Sequence, residues 1–180
     1  MRTSLADEVA LCVAASTGGR TASWRVELGL ALAGAVLIDL ALADRVVVRH
    51  DLLLINRPGP LGDSVQDEVL RRLAARRRVG SVQEWIERLA PSVRDHVQAE
   101  LLARGLLIPV AGRWSVRLHP RHHRPAPDPD GTVSGLLHAA HRNWAPARTP
   151  RADEPDIVAV VCAKVESCVL AAARRLAYGF

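Results

Sequence analysis

Aromatic residues make up only 3% of this 180-residue chain. An interior built on stacked rings is excluded, so leucine, valine and alanine must fill the core, and each of the 4 tryptophans stands out. Lysine is scarcer still, with Lys164 alone among 24 basic residues and arginine supplying the rest. The 3 cysteines, Cys12, Cys162 and Cys168, lie in apolar helical contexts with no C-x-x-C pair. That argues against a disulfide framework and for reduced core thiols in a cytoplasmic protein. The opening MRTSLADEVA carries acids where a secretory leader needs an apolar run, which argues against export.

A membrane-spanning run is also missing. The stretch TASWRVELGLALAGAVLIDLALADR holds eleven apolar residues, Leu28 to Ile38, between Glu27 and Asp39. A span needs ~20, and Asp39 would sit near the bilayer centre at a cost of ~3 kcal/mol. Gly29 and Gly34 weaken the run further. A helix apolar on nearly every side and too short to cross reads as the central buried helix of a globular domain.

What is present is enough for a core: hydrophobic residues are 49% of the chain, which suits one folded domain over residues 1–180. The net charge of +5 and a pI near 10.0 suit phosphate, on lipid or nucleic acid. The arginine bias is also what a GC-rich bacterial genome writes.

Local patterns outline a mainly α chain with two small β-hairpins. Ser4 and Asp7 form a capping box for a helix through Val13, and the buried helix follows from about Glu27 to Ala43. Val46–Val48 and Leu52–Ile55 flank Arg49-His50-Asp51 as a hairpin. Ser64 with Asp67 caps the next helix. Ser81 and Glu84 cap another, and Pro91 suits the first turn of a separate helix ending at Gly105. Leu106–Val110 and Arg113–Leu118 read as a second hairpin. Residues 119–131 and 146–155 read as exposed loops, on either side of a helix from about Thr132 to Trp144. A long helix runs from Asp156 to about Tyr178.

Catalytic patterns are sparse. His119, His122 and His123 fall on a proline-rich basic loop, a poor frame for metal geometry. His138 and His141 suit the boundary of an amphipathic helix. Asp63, Asp67 and Glu68 cluster at a helix start, where capping and the dipole account for them. Thr17-Gly18-Gly19-Arg20 lacks the Lys-Ser/Thr of a phosphate loop. We expect no enzyme, no cofactor and no metal. One order of elements suggests DNA: a helix over 82–90, a helix over 91–104 and a hairpin over 106–118 follow the plan of a winged-helix regulator. Asp95 and Glu100 on the would-be reading helix oppose phosphate contact.

The segments LADEVALCV, SWRVELGLALAGAVLIDLALADRVVV, GDSVQDEVL, EWI and VRDHVQAELLARGLL occur in this order before a hairpin. In that order and spacing the chain resembles the Golgi phosphoprotein 3 family, from Ser4 to about Leu118 and more loosely to Ala173. The resemblance implies a mainly helical domain, peripheral on the cytoplasmic face of a membrane. It also implies binding of an anionic phospholipid headgroup, that of phosphatidylinositol 4-phosphate. The family's pocket uses a tryptophan just before the buried helix, which is Trp24 here, and a basic residue inside it, which is Ala33. Two basic residues three apart on the later helix fall on Pro91 and Arg94, so two of the four positions are changed. Arg25 is placed to supply some of the lost charge. The family's second hairpin serves self-association and membrane contact, which points to Trp114 with Arg113 and Arg117. The family also carries a further helical segment beyond the point where this sequence stops.

A chain of this kind is at most peripheral. High salt or alkaline carbonate is expected to strip it from membranes, and retention through both would overturn the buried-helix reading.

Overall fold

The computed structural model describes residues 4–16, 25–75, 79–109, 116–118, 132–140 and 157–178. In chain order these form α1 (Leu5–Ser16), α2 (Arg25–Leu42), β1 (Val46–Arg49), β2 (Leu52–Ile55), α3 (Ser64–Ala74) and α4 (Val82–Ala103). Then come β3 (Leu107–Pro109), β4 (Val116–Leu118), α5 (Thr132–Ala140) and α6 (Ile157–Tyr178). The fold is mainly helical with two antiparallel two-stranded hairpins, the class expected from the sequence. No helix among the described residues is long and apolar enough to cross a membrane.

The apolar run becomes the axis of the molecule. Every residue of α2 from Gly29 to Ile38 is buried, and α1, α3, α4, α5 and α6 all pack against it. That explains why the run has no polar face: there is no side on which water meets it. Two glycines set the spacing of the surrounding helices. A Cβ on Gly29 would stand 2.9 Å from the carbonyl oxygen of Ala90 on α4. A Cβ on Gly34 would stand 2.9 Å from Val165 on α6 and 3.2 Å from Leu136 on α5.

Capping chemistry places the starts of α1, α3 and α4. The amide of Asp7 donates to Ser4 Oγ at 3.2 Å and the amide of Ser4 to Asp7 Oδ2 at 3.4 Å, the expected reciprocal box. Ser81 and Glu84 do the same for α4. The cap of α3 is Asp63 rather than Ser64: its Oδ1 accepts from the amides of Val65 and Gln66 at 3.0 and 2.9 Å. Ser64 is instead the first helical residue, and its hydroxyl donates to Glu100. Asp67 accepts from the amides of Leu61 and Gly62, tying down the preceding loop. In the first hairpin Arg49 belongs to β1, opposite Leu52, leaving His50 and Asp51 as a two-residue turn. Both have positive φ, 49° and 66°, as the twist of a tight hairpin demands.

Pro91 does not begin a helix. Residues 82–103 are one helix with Pro91 inside it. The proline brings no N–H to the ladder, a penalty of ~3 kcal/mol in a helix interior. The buried stripe of Val82, Ile86, Leu89, Val93, Val97 and Leu101 runs straight past it. Each such side chain contributes ~1.5–3 kcal/mol on burial, so the stripe outweighs the break. The helix ends at Ala103 with Arg104 as its cap, and Gly105, φ 67°, turns the chain so that the amide of Leu106 bonds to the carbonyl of Leu101 at 2.9 Å. The proposed loops at 119–131 and 146–155, and residues 110–115, lie outside the described residues.

The crossing of α2 and α4 yields a sharp test. Alanine normally stabilises a helix relative to glycine by ~1 kcal/mol. At Gly29 its methyl would press on backbone, so Gly29→Ala is expected to lower stability by ~1–2 kcal/mol. Urea unfolding reads this directly. A stabilised variant would mean that the helices are not in close contact there.

Candidate functional site

On α4, Glu87, Ala90, Pro91 and Arg94 recur at helical spacing and share one face. That face meets the first turns of α2, at Val26, Gly29 and Leu30, and Cys168 and Ala172 of α6. The walls enclose a shallow cleft of about 170 Å3. Its concavity follows from the small residues at the crossing: Gly29, Ala90 and Ala172 put no bulk where three helices meet.

Among the described residues, Arg94 is the cation on its wall. Its side chain is 22% exposed, and its Nε and Nη2 donate to Asp95 Oδ1 at 3.0 and 2.7 Å. Asp95 is exposed, so this pair orients the guanidinium more than it stabilises the fold. Glu87 faces the same cleft and accepts at Oε1 from Gln83 Nε2 at 3.2 Å. Val26, at the rim, is an apolar side chain left 49% exposed. Cys168 is buried, and all three cysteines are free thiols.

The positions expected from the sequence divide as follows. Pro91 and Arg94 stand together on the cleft wall. Arg25 is the first residue of α2, next to Val26, and its side chain is not described. Trp24, Trp114 and Arg113 lie outside the described residues, and Arg117 is placed only by its backbone, in β4 opposite Ile108. Ala33 has no exposed surface at all. It faces the packed interior of α2, so a longer side chain there would have to displace core before it reached a ligand. Sequence patterns do not single out Glu87; its only signal is its place one turn before Pro91.

A larger cleft, about 720 Å3, opens on the other end of α2. It is lined by Ser4, Asp7, Asp39, Asp63, Glu100 and Arg104 among others. The lining is polar because the ends of four helices converge there. Asp39 Oδ2 accepts from the amide of Leu5, the first residue of α1, at 2.9 Å, and from Gln66 Nε2 at 3.4 Å. Arg104 Nη1 donates to the buried Asp7 at 2.6 Å. Burial pushes the Asp39 carboxyl up from 3.8 to about 6. The Leu5 amide pulls the other way, and the carboxylates of Asp63, Glu8 and Asp7 add to the rise. These carboxylates cap and tie helix ends, and the surplus of acids makes this cleft unsuited to phosphate.

Among the described residues no group of three or more His, Cys, Asp or Glu side chains could hold a metal ion. His119, His122, His123 and His141 lie outside the described residues, as does the side chain of His138.

The geometry defines a class: a helical domain wrapped on a buried central helix, with a small cation-bearing cleft where that helix begins. Residues 5–177 match the family model described as Golgi phosphoprotein 3 (GPP34), and the chain belongs to that family. No solved structure matches it. Membership fits lipid or protein interaction in general.

Asp39 gives a pH signature. The unfolded chain binds this proton near 3.8 and the folded chain near 6, so protonation favours the folded state. The contribution is complete below the lower value and is lost as pH rises through the upper one, by up to ~3 kcal/mol in all. Asp39→Asn keeps an acceptor for the Leu5 amide and removes the titration. The variant is expected to be more stable than the parent above pH ~7, with the gain shrinking toward pH ~4. Urea unfolding across this range checks it. A parent that gains stability through the same window would overturn the assignment.

Proposed function

We propose that this protein is a peripheral membrane protein that holds the phosphate of an anionic lipid headgroup in the cleft between α2, α4 and α6, with no catalytic step. The observation that carries this reading is the meeting of Arg94 and Pro91 with the exposed Val26 in the first turn of α2. A partly buried guanidinium, held in place by Asp95, sets a fixed positive charge on the cleft wall where it attracts a phosphate. The half-exposed Val26 beside it offers apolar contact at the bilayer boundary. In the sequence Trp24 and Arg25 immediately precede Val26, and these residue types suit such a boundary.

Selectivity for phosphatidylinositol 4-phosphate is expected to be slight. Such selectivity needs several cations converging on one headgroup. Here the position inside α2 is the wholly buried Ala33 and the partner of Arg94 is Pro91. General attraction to an anionic surface needs only basic side chains near it, each contributing ~1 kcal/mol and fading with salt. The DNA-binding alternative loses its geometric basis. The two helices it requires are one helix, and Asp95 is an exposed acid on it.

Co-sedimentation with vesicles of phosphatidylglycerol in phosphatidylcholine tests this. Binding is expected to exceed that to phosphatidylcholine alone, to fall with salt, and to weaken about fivefold in Arg94→Ala. Binding indifferent to Arg94 would remove the site, and protection of a defined duplex against competitor DNA would replace the function.

A further inference from the structure

The first hairpin has one sealed edge and one open edge. Val46 stands opposite Ile55 and Val48 opposite Leu53. The amide of Asn56 donates to the carbonyl of Arg45 at 2.8 Å, and bonded pairs alternate along an antiparallel ladder. Val47 and Arg49 therefore turn their backbone groups toward β2, while Val46 and Val48 turn theirs away from it. On the far side of β2 the amide of Leu53 donates to the carbonyl of Gly80 at 3.1 Å, and the amide of Val82 to that of Asp51 at 2.9 Å. The chain entering α4 thus seals that edge. On the far side of β1, no described group takes the outward N–H or C=O of Val46 or Val48. Consecutive β-branched residues with open backbone groups make a template for one more strand.

Charge indicates what that strand carries. Arg45 and Arg49 bracket the three valines, separated by ~13 Å of extended chain. Neither forms an ion pair among the described residues. Arg45 Nε is buried with no hydrogen-bond partner, and Arg49 is exposed. The acids beside the hairpin are already taken: Asp44 by Arg57 at 3.1 Å and Asn56 at 2.6 Å, and Asp51 by Lys164 at 2.9 Å. A second copy of the chain suits this edge poorly. The antiparallel register that serves Val46 and Val48 on both copies sets Arg45 of each opposite Arg49 of the other, and like charges face to face oppose pairing.

We infer that the open edge of β1 docks an extended acidic segment of a partner protein as a third strand, with two carboxylates four residues apart against Arg45 and Arg49. Backbone bonds to Val46 and Val48 supply the pairing, and the two arginines select the sequence. The site shares no residue with the cleft between α2, α4 and α6, so neither reading depends on the other.

The probe is a labelled nine-residue peptide with Glu-Val-Thr-Val-Glu at its centre, compared with versions carrying Gln or Lys in place of both Glu. The acidic peptide is expected to bind the full chain about tenfold more tightly than the Gln version, and to slow exchange of the Val46 and Val48 amide protons about tenfold. Arg49→Glu is expected to reverse the preference toward the Lys version. Val48→Pro removes an outward N–H and no bond to β2, a change that edge strands tolerate, and is expected to weaken binding of every version. Should that variant fail to fold, the charge reversal at the exposed Arg49 still decides the matter. No binding, equal affinity for the Glu and Lys versions, or indifference to Arg49→Glu overturns the inference. Binding that leaves exchange at Val46 and Val48 unchanged places the peptide elsewhere and overturns it too. Slow exchange at these amides without peptide, in a chain that sediments as a dimer, assigns the edge to a second copy and overturns the acidic partner.

Discussion

A helix with no polar side must be enclosed, and that requirement organises this protein. Residues 29 to 38 of α2 are buried without a gap, so helices have to cover it on all sides. The distance at which they do so is set by what α2 lacks. Gly29 lets the backbone of α4 approach until a methyl group would touch the Ala90 carbonyl, and Gly34 does the same for α5 and α6. A leucine at either position would push the shell outward and open the core. Where three small residues coincide at the start of α2, close packing of backbones leaves a hollow above them, and that hollow is the small cleft.

The two ends of α2 differ in chemistry for a related reason. At its start α4 and α6 pass alongside, so the surroundings are side-chain walls, and among the described residues the charged groups on them are Arg94 and Glu87. Toward its end the termini of α1, α3 and α4 converge, and helix termini expose backbone groups that need partners. Asp39 meets that need by accepting from Leu5, and Asp63 by capping α3. The same acid that limits the apolar run in the sequence therefore fastens the first helix to the core. The larger volume of that cleft reflects the meeting of helix ends, while the smaller cleft holds an oriented cation beside an exposed apolar residue.

Local devices are legible in the order of residues alone. The boxes at Ser4–Asp7 and Ser81–Glu84 depend on residues three apart, and both form as their spacing predicts. The hairpin at 46–55 is equally clear, because β-branched residues flank a turn that tolerates positive φ. Local signals mislead where a stronger distant one competes. Pro91 reads as a helix start, but the apolar stripe on either side of it is buried against one continuous surface. Ser64 reads as a cap, but Asp63 reaches the amides and leaves Ser64 to bond Glu100 across the cleft.

The candidate site divides along the same line. The sequence alone determined that residues 29 to 38 would be buried, that the chain would be mainly helical and basic, and that Arg94 would follow Pro91 on one helical face. These follow from hydrophobicity, charge and a period of 3.6 residues, which belong to the chain wherever it folds. Only the tertiary structure decided that Ala33 points into the core, that Asp39 holds the amide of Leu5, and that Glu87 shares a wall with Arg94 opposite Gly29. Those facts depend on which face of one helix meets which face of another. That choice is made by the summed packing of the whole core, and no short segment contains it.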